Sequence, residues 1–277
     1  MKKILVPVDF STPSENALKV AADLSKKNNA QVCVLHVIEL AETLFGSEQF
    51  NVDDEQIVFF MKMAKKRFAK FLDKEFLKDI DLKDMVDIGP TSKYISEYAK
   101  KENVDMIVMG STGVSGLEEV LIGSNTEKIV RTSSVPVLVV KKKMESLSIN
   151  KVVFASDFDL ESLKAYENAK KFADSFNAEL KLLYVNLPGN QFYSTQEIHE
   201  QMRKFLHKAE VELNEKNVII YNDYTIQLGV INGANSLKAD LIAMPTHGRQ
   251  GLSHFFNGSI GEDVVNHSTL PVITFKI

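Results

Sequence analysis

The chain has 277 residues, 44% of them apolar and 25% charged, with 33 basic and 37 acidic side chains and a net charge of −4. That length exceeds one average domain and suits two. The balanced charge leaves no basic patch for nucleic acid, and no apolar run is long enough for a membrane span. The single Cys33, inside "QVCVLHV", excludes an internal disulfide and reads as a core thiol. No signal peptide precedes "ILVPVDF", so a soluble cytoplasmic protein is expected.

In chain order, β-branched runs at 4–8, 31–37, 84–88, 105–109 and 137–140 read as strands. The first helix opens with Thr12 as N-cap, Pro13 in the first helical position and Glu15 as a capping-box acid. It presents Ala17, Leu18, Ala21, Ala22 and Leu24 to a core. A longer helix is expected over 53–79, with Ile57, Phe60, Met61, Ala64, Phe68, Phe71 and Leu72 on its apolar stripe. Alternating strands and helices predict a parallel sheet covered on both faces. Ligands of such sheets bind beyond the carboxyl ends of the strands, near the switch point of the strand order.

The pattern then repeats. "KILVPVDF" at 3–10 pairs with "KVVFASDF" at 151–158, "ENA" at 15–17 with "ENA" at 167–169, and "VLHV" at 34–37 with "LLYV" at 182–185. "VDMIVMGSTG" at 104–113 pairs with "ADLIAMPTHG" at 239–248, and "VPVLVV" at 135–140 with "LPVITF" at 270–275. Two domains, 1–143 and 148–277, are expected. The fourth helix of the second copy reads as shortened, "INGANSLK" against "TSKYISEYAKKEN".

The loop after the fourth strand carries Gly110 and Gly113, then after nine residues Gly123 and Ser124. Glycines let a ligand approach the main chain, and free N–H groups at a turn and a helix start form an anion site. A purely structural role competes, because Ser124 with Glu127, and Ser259 with Glu262, also fit capping boxes. In the second copy Pro245 stands where the first has Gly110, removing an N–H. An intact site in the first half and a weakened, altered or empty one in the second are therefore expected.

Nothing points to catalysis. There is no G-x4-G-K-[ST], no G-x-G-x-x-G after the first strand, and no Lys or Arg between Gly110 and Glu127. None of the six histidines has a counterpart in the other half or forms a metal-ligand motif, so no catalytic or metal residue is assigned.

The spacing G-x2-G-x9-G-[ST], with the opening "ILVPVDFS", the "LHV" strand and the closing "VPVLVV", resembles the ATP-binding universal stress protein family, twice over nearly the whole chain. The resemblance implies an α/β fold of two tandem Rossmann-like domains. Each would be a five-stranded parallel sheet with helices on both faces, the pair forming an internal pseudo-dimer through the last strands. It further implies an ATP, ADP or AMP site, with Mg²⁺ arriving through the phosphates. Asp9 would take the ribose hydroxyls, Pro7 and Val8 would line the base pocket, and main-chain groups near Val37 would read adenine. Gly110, Gly113, Gly123, Ser124 and Asn125 would hold the phosphates, and Met109 belongs to the same nucleotide site. A second site would use Ser156, Asp157, Val185, Gly248, Gly258 and Ser259. The function so implied is regulation by nucleotide binding in the stress response, with slow or no hydrolysis and an unidentified protein partner. A ligand-free scaffold is the alternative and an ATP-using transferase ranks last. Pairing into a further homodimer is left open.

Overall fold

The computed structural model describes residues 1–39, 54–111, 122–144, 146–211, 214–246 and 260–277. In the first half, strands β1 (Lys3–Pro7), β2 (Gln31–Ile38), β3 (Leu82–Ile88), β4 (Met106–Gly110) and β5 (Val137–Val140) alternate with helices α1 (Thr12–Asn28), α2 (Asp54–Leu72), α3 (Thr91–Lys101) and α4 (Ser124–Thr132). In the second half, β6 (Lys151–Ala155), β7 (Glu179–Asn186), β8 (Val218–Asn222), β9 (Leu241–Thr246) and β10 (Val272–Lys276) alternate with α5 (Leu163–Ser175), α6 (Thr195–Lys208), α7 (Ile226–Ser236) and α8 (Ile260–His267).

The strands form one ten-stranded sheet in the order β3-β2-β1-β4-β5-β10-β9-β6-β7-β8. Pairing is parallel inside each half. The halves meet where β10 runs antiparallel to β5, with Val272 opposite Val139, Ile273 opposite Leu138 and Thr274 opposite Val137. Alternation along each strand splits the apolar side chains between two cores. Ile4, Val6, Val32, Val34, Val108 and Leu138 pack under α1 and α2 in a cluster that continues through Phe154, Phe205 and Phe275 of the second half. Leu5, Cys33, Leu35, Ile107, Val137 and Val139 face α3 and α4 in a cluster shared with Val153, Val185, Val264 and Val272. Both cores therefore cross the join.

Several expectations shift locally. Ser11, not Thr12, caps α1, its hydroxyl accepting from the Ser14 N–H while Thr12 opens the helix. The long helix stops at Leu72, and a 3₁₀ turn, Glu75–Leu77, follows it. Its buried stripe is Ala64, Phe68 and Phe71. Phe60, a turn before the first side chain packed on the sheet, is exposed together with Val58, Phe59 and Met63. The two "ENA" segments are not equivalent: the left-handed residues before and after the helix, Phe10 and Asn29 against Phe158 and Asn177, keep one constant offset, and the second "ENA" falls about one helical turn later. Counted from Asp9 and Asp157, the partner of Ala17 is Ala165.

The shortened fourth helix is also corrected, since α3 and α7 each have 11 residues. Gly229 and Gly233 disguise the helix in sequence by lowering its propensity. Packing explains them: a Cβ at Gly229 would clash with Val185 Cγ1, and one at Gly233 would come 3.0 Å from Leu183 Cδ1. The glycines let α7 press onto β7.

Candidate functional site

The strand order reverses between β1 and β4, and the two strands part at their carboxyl ends. Pro7 explains where. The Val8 N–H goes to Leu35 O on β2, so by alternation the Pro7 nitrogen faces β4 and carries no hydrogen. The last β1–β4 pair is accordingly Leu5 with Ile107. A cavity of about 360 Å³ opens above it.

Leu35 and Val37 from β2, Ile95 from α3 and Met109 from β4 make its apolar wall. Its polar side comprises Asp9, Ser14, Thr91, Ser124, Asn125 and Thr126, with the exposed Glu39. Of the residues singled out from sequence in the first half, Pro7, Val8, Asp9, Val37, Met109, Gly110, Gly123, Ser124 and Asn125 all line this one cavity. Gly113 lies outside the described residues. Ser14, Leu35, Glu39, Thr91, Ile95 and Thr126 were not anticipated; the only signal for Thr91 is its place after Gly89-Pro90 at the end of β3.

Asp9 is aimed by the turn it sits in. Its Oδ1 accepts the Ser11 N–H at 3.0 Å and the Ser11 hydroxyl, and among the described residues Oδ2 takes no hydrogen bond. Phe10 follows in the left-handed region, φ 66°, a conformation costing an ordinary side chain roughly 1–2 kcal/mol. Its ring offsets that by packing 4.3 Å from the His36 ring and 5.5–5.6 Å from Phe71 and Phe68, centroid to centroid. His36 Nδ1 lies 2.8 Å from Val8 O; a carbonyl only accepts, so Nδ1 carries the proton and pins the cavity wall. Burial, more than any neighbour, lowers the His36 pKa and favours the neutral ring.

At the opposite wall, Gly110 has no room for a side chain, since a Cβ there would stand 2.6 Å from the carbonyl carbon and oxygen of Pro13. Alternation against Ile107 N and Ser111 N, which go to Pro136 O and Val140 O on the β5 side, turns the Gly110 N–H toward β1. The Gly110 carbonyl accepts the Thr126 hydroxyl at 3.1 Å, tying β4 to α4. Gly123 is the N-cap of α4, and among the described residues no side chain caps the helix. Ser124 is thus its first helical residue, and the expected Ser124–Glu127 capping box does not form because Gly123 takes the cap position. The Ser124 hydroxyl and the first N–H groups of α4 stand at the cavity, where the helix end favours an anion.

The second half is built differently at matching places. Ser156 is fully buried, and its hydroxyl accepts the Phe158 N–H at 2.9 Å, so it serves the turn. Asp157 Oδ1 accepts the Asp159 N–H at 3.1 Å, as Asp9 does with Ser11, and Phe158 repeats the left-handed φ at 57°. Val185 is buried against α7 at Gly229. Gly248, Gly258 and Ser259 lie outside the described residues. Pro245 sits inside β9 without breaking a ladder pair: its nitrogen points toward β6, past the last pair of Phe154 with Ala243. Ala155 stands where the first half has Pro7, and the ladder there runs one pair further. Each half has one proline at the parting strands, on opposite sides of the gap.

Among the described residues, no group of three or more His, Cys, Asp or Glu side chains is placed to hold a metal ion, and no helix is long and apolar enough to cross a membrane.

Compared with known proteins, the chain matches the model of the universal stress protein family twice, over residues 1–141 and 148–276. It is 35% identical to universal stress protein MJ0577 of Methanocaldococcus jannaschii, over 51% of this chain and 96% of that one. Universal stress protein YxiE of Bacillus subtilis is 32% identical, over 50% of this chain and 98% of its own length. A solved universal stress protein from Archaeoglobus fulgidus superposes with a TM-score of 0.76, spanning 99% of this chain and 98% of that one; at 24% identity it speaks for the fold.

Proposed function

The chain belongs to the universal stress protein family, and from that premise we propose that its first half binds an adenine nucleotide and that the protein acts by binding, with slow or no ATP hydrolysis. The observation that carries this reading is one cavity of about 360 Å³ uniting an apolar wall, the Asp9 carboxylate and the glycine-capped start of α4. Those features suit a ligand that is flat and apolar at one end, hydroxylated in the middle and anionic at the other. The base would lie against Val8, Val37, Ile95 and Met109. Asp9 Oδ2 would accept from the ribose hydroxyls. The phosphates would meet Gly110, Gly113, Gly123, Ser124 and Asn125. Bound nucleotide would bring Mg²⁺ with its phosphates, and this chain's own residues would bind and orient the pair.

A binder is favoured over a transferase because no Lys, Arg or His lines the cavity among the described residues to stabilise charge on a moving phosphoryl group. For the second half we propose a weakened, altered or empty site and a role as the fixed partner of the first. Pro245 removes the N–H that Gly110 turns toward the cavity, and α7 closes on Val185. A hydrogen bond to a charged group contributes about 1.5–3 kcal/mol, enough for one to two decades in affinity. A cytoplasmic setting, a stress-linked signal and a protein partner that reads the bound state complete the proposal.

Calorimetric titration of nucleotide-stripped protein with Mg-ATP, ADP and AMP, beside Gly113→Val and Gly248→Val, tests it. One site per chain, lost with Gly113→Val alone, is the expected result. Two equal sites, or one lost only with Gly248→Val, would refute the assignment of halves. No binding of any nucleotide would turn the chain into a scaffold.

A further inference from the structure

We propose that Asn266, contributed by the second half, is a positioning residue for the first half's cavity. The proposal rests on the nucleotide reading of that cavity. Asn266 lies in the last turn of α8, and α8 packs on α4 across the join. Its Oδ1 accepts the Ile122 N–H at 2.9 Å. Ile122 immediately precedes Gly123, the cap of α4, and its side chain is buried in the core that crosses the join.

Gly123 has no side chain with which to cap α4, so the direction of its N–H groups follows the path of Ile122 and Gly123. Among the described residues, two anchors hold that path. One comes from the same half, where the Gly123 N–H goes to Ser111 O at 2.9 Å. The other is Asn266. A part-buried N–H left without an acceptor is costly, so loss of the amide would push Ile122 toward a different path. Asn266 is itself held: Lys141, at the end of β5, donates from Nζ to the Asn266 carbonyl at 3.3 Å, a cation placed at the C-terminal turn of α8 where the helix dipole favours it. Only an oxygen can receive the Ile122 N–H, which fixes which way the Asn266 amide points.

The two halves are not interchangeable here. Seven residues after Ser259 stands Asn266, whereas seven after Ser124 stands Arg131. Arg131 reaches the other way, to Glu262 at 3.7 Å. A short acceptor from one half and a long cation from the other give the join a fixed asymmetry that two identical copies could not have. The second half thereby tunes the first half's affinity even with its own cavity altered.

The test compares Asn266→Ala, the nearly isosteric Asn266→Leu, and Asn266→Asp, which keeps an acceptor. Two readouts are taken on the full chain: hydrogen exchange at the Ile122 amide without nucleotide, and Mg-ATP affinity by calorimetry. Ala and Leu should each speed Ile122 exchange about tenfold and weaken Mg-ATP binding about three- to tenfold, and Asp should restore both. Unchanged Ile122 exchange in Ala and Leu overturns the clasp. Faster exchange with unchanged affinity, or an equal loss with Asp, overturns the positioning role. A wild-type chain that binds no nucleotide overturns the reading of the cavity and the positioning role with it, and the exchange measurement then decides the clasp on its own. If Ala does not fold, the Leu and Asp pair carries the comparison.

Discussion

At the scale of residues, the two serines that open helices beside the cavity have opposite duties. Ser11 caps α1, whereas Ser124 follows the Gly123 cap of α4 and among the described residues caps no helix. Ser11→Ala should therefore lower stability by about 1 kcal/mol, as loss of an N-cap does, in a thermal or urea melt. Ser124→Ala should leave the same melt within about 0.5 kcal/mol, as a substitution away from a structural feature does, while weakening Mg-ATP binding about tenfold or more in a titration, since it removes a donor to a charged group. A destabilised Ser124→Ala with unchanged affinity would return that hydroxyl to a structural role. Gly110 is required by packing, since a Cβ there would stand 2.6 Å from the Pro13 carbonyl, so its presence alone argues nothing about a ligand. The prolines are subtler. Pro7 parts β1 from β4, and Pro245 lies at the matching gap from the other strand. Pro245 read in sequence as a lost contact; in three dimensions it is also a proline placed where the ladder has already ended.

Among elements, α7 shows what sequence patterns could and could not convey. The strands were legible to within a residue or two because continuous β-branched runs are hard to mistake, and of the loop's spaced residues Gly110, Gly123 and Ser124 share one cavity, while Gly113 lies outside the described residues. The length of α7 was not legible, because Gly229 and Gly233 weaken a helical pattern whose cause lies on β7. Thr91 and Ile95 were missed for a related reason: they come to the cavity from α3, far in sequence from both Asp9 and the glycine loop, and no local spacing marks that convergence. Asn266 is harder still, since its partner is on the other half. Gly229→Ala tests the packing account. Alanine would gain about 1 kcal/mol in helix propensity. Against that, its Cβ would clash with a Val185 methyl, and a β-branched neighbour in a strand has little freedom to swing aside. Overpacking of this kind costs about 1–3 kcal/mol, so a net loss of roughly 1 kcal/mol and a melting point lower by a few degrees is expected. A stabilised variant would show that α7 is free to lift from the sheet.

For the whole molecule, the join sets the chemistry of its own seam. An antiparallel pairing of last strands brings equivalent positions of the two halves face to face. Glu127 and Glu262, each three residues after the repeated Gly-Ser, meet there. Burial first, then the Glu127 carboxylate, raises the Glu262 pKa above the usual carboxyl range; Arg131, 3.7 Å away, opposes the shift, and Asp263 adds to it. A carboxyl raised in the folded state contributes stability that is fully present below its unfolded value, about 4.3, and lost as pH rises through the raised one. Glu262→Gln keeps the shape and removes the charge. Its melting point should match the wild type near pH 4 and exceed it at pH 7 to 8, the gap opening across the interval above the ordinary carboxyl pKa. The seam would then be a place where charge is held against stability in a chain that builds its pair once, covalently. A variant melting below the wild type at pH 7 would mean that the Arg131 attraction outweighs burial and Glu127 together, and that the ion pair across the halves helps to hold them.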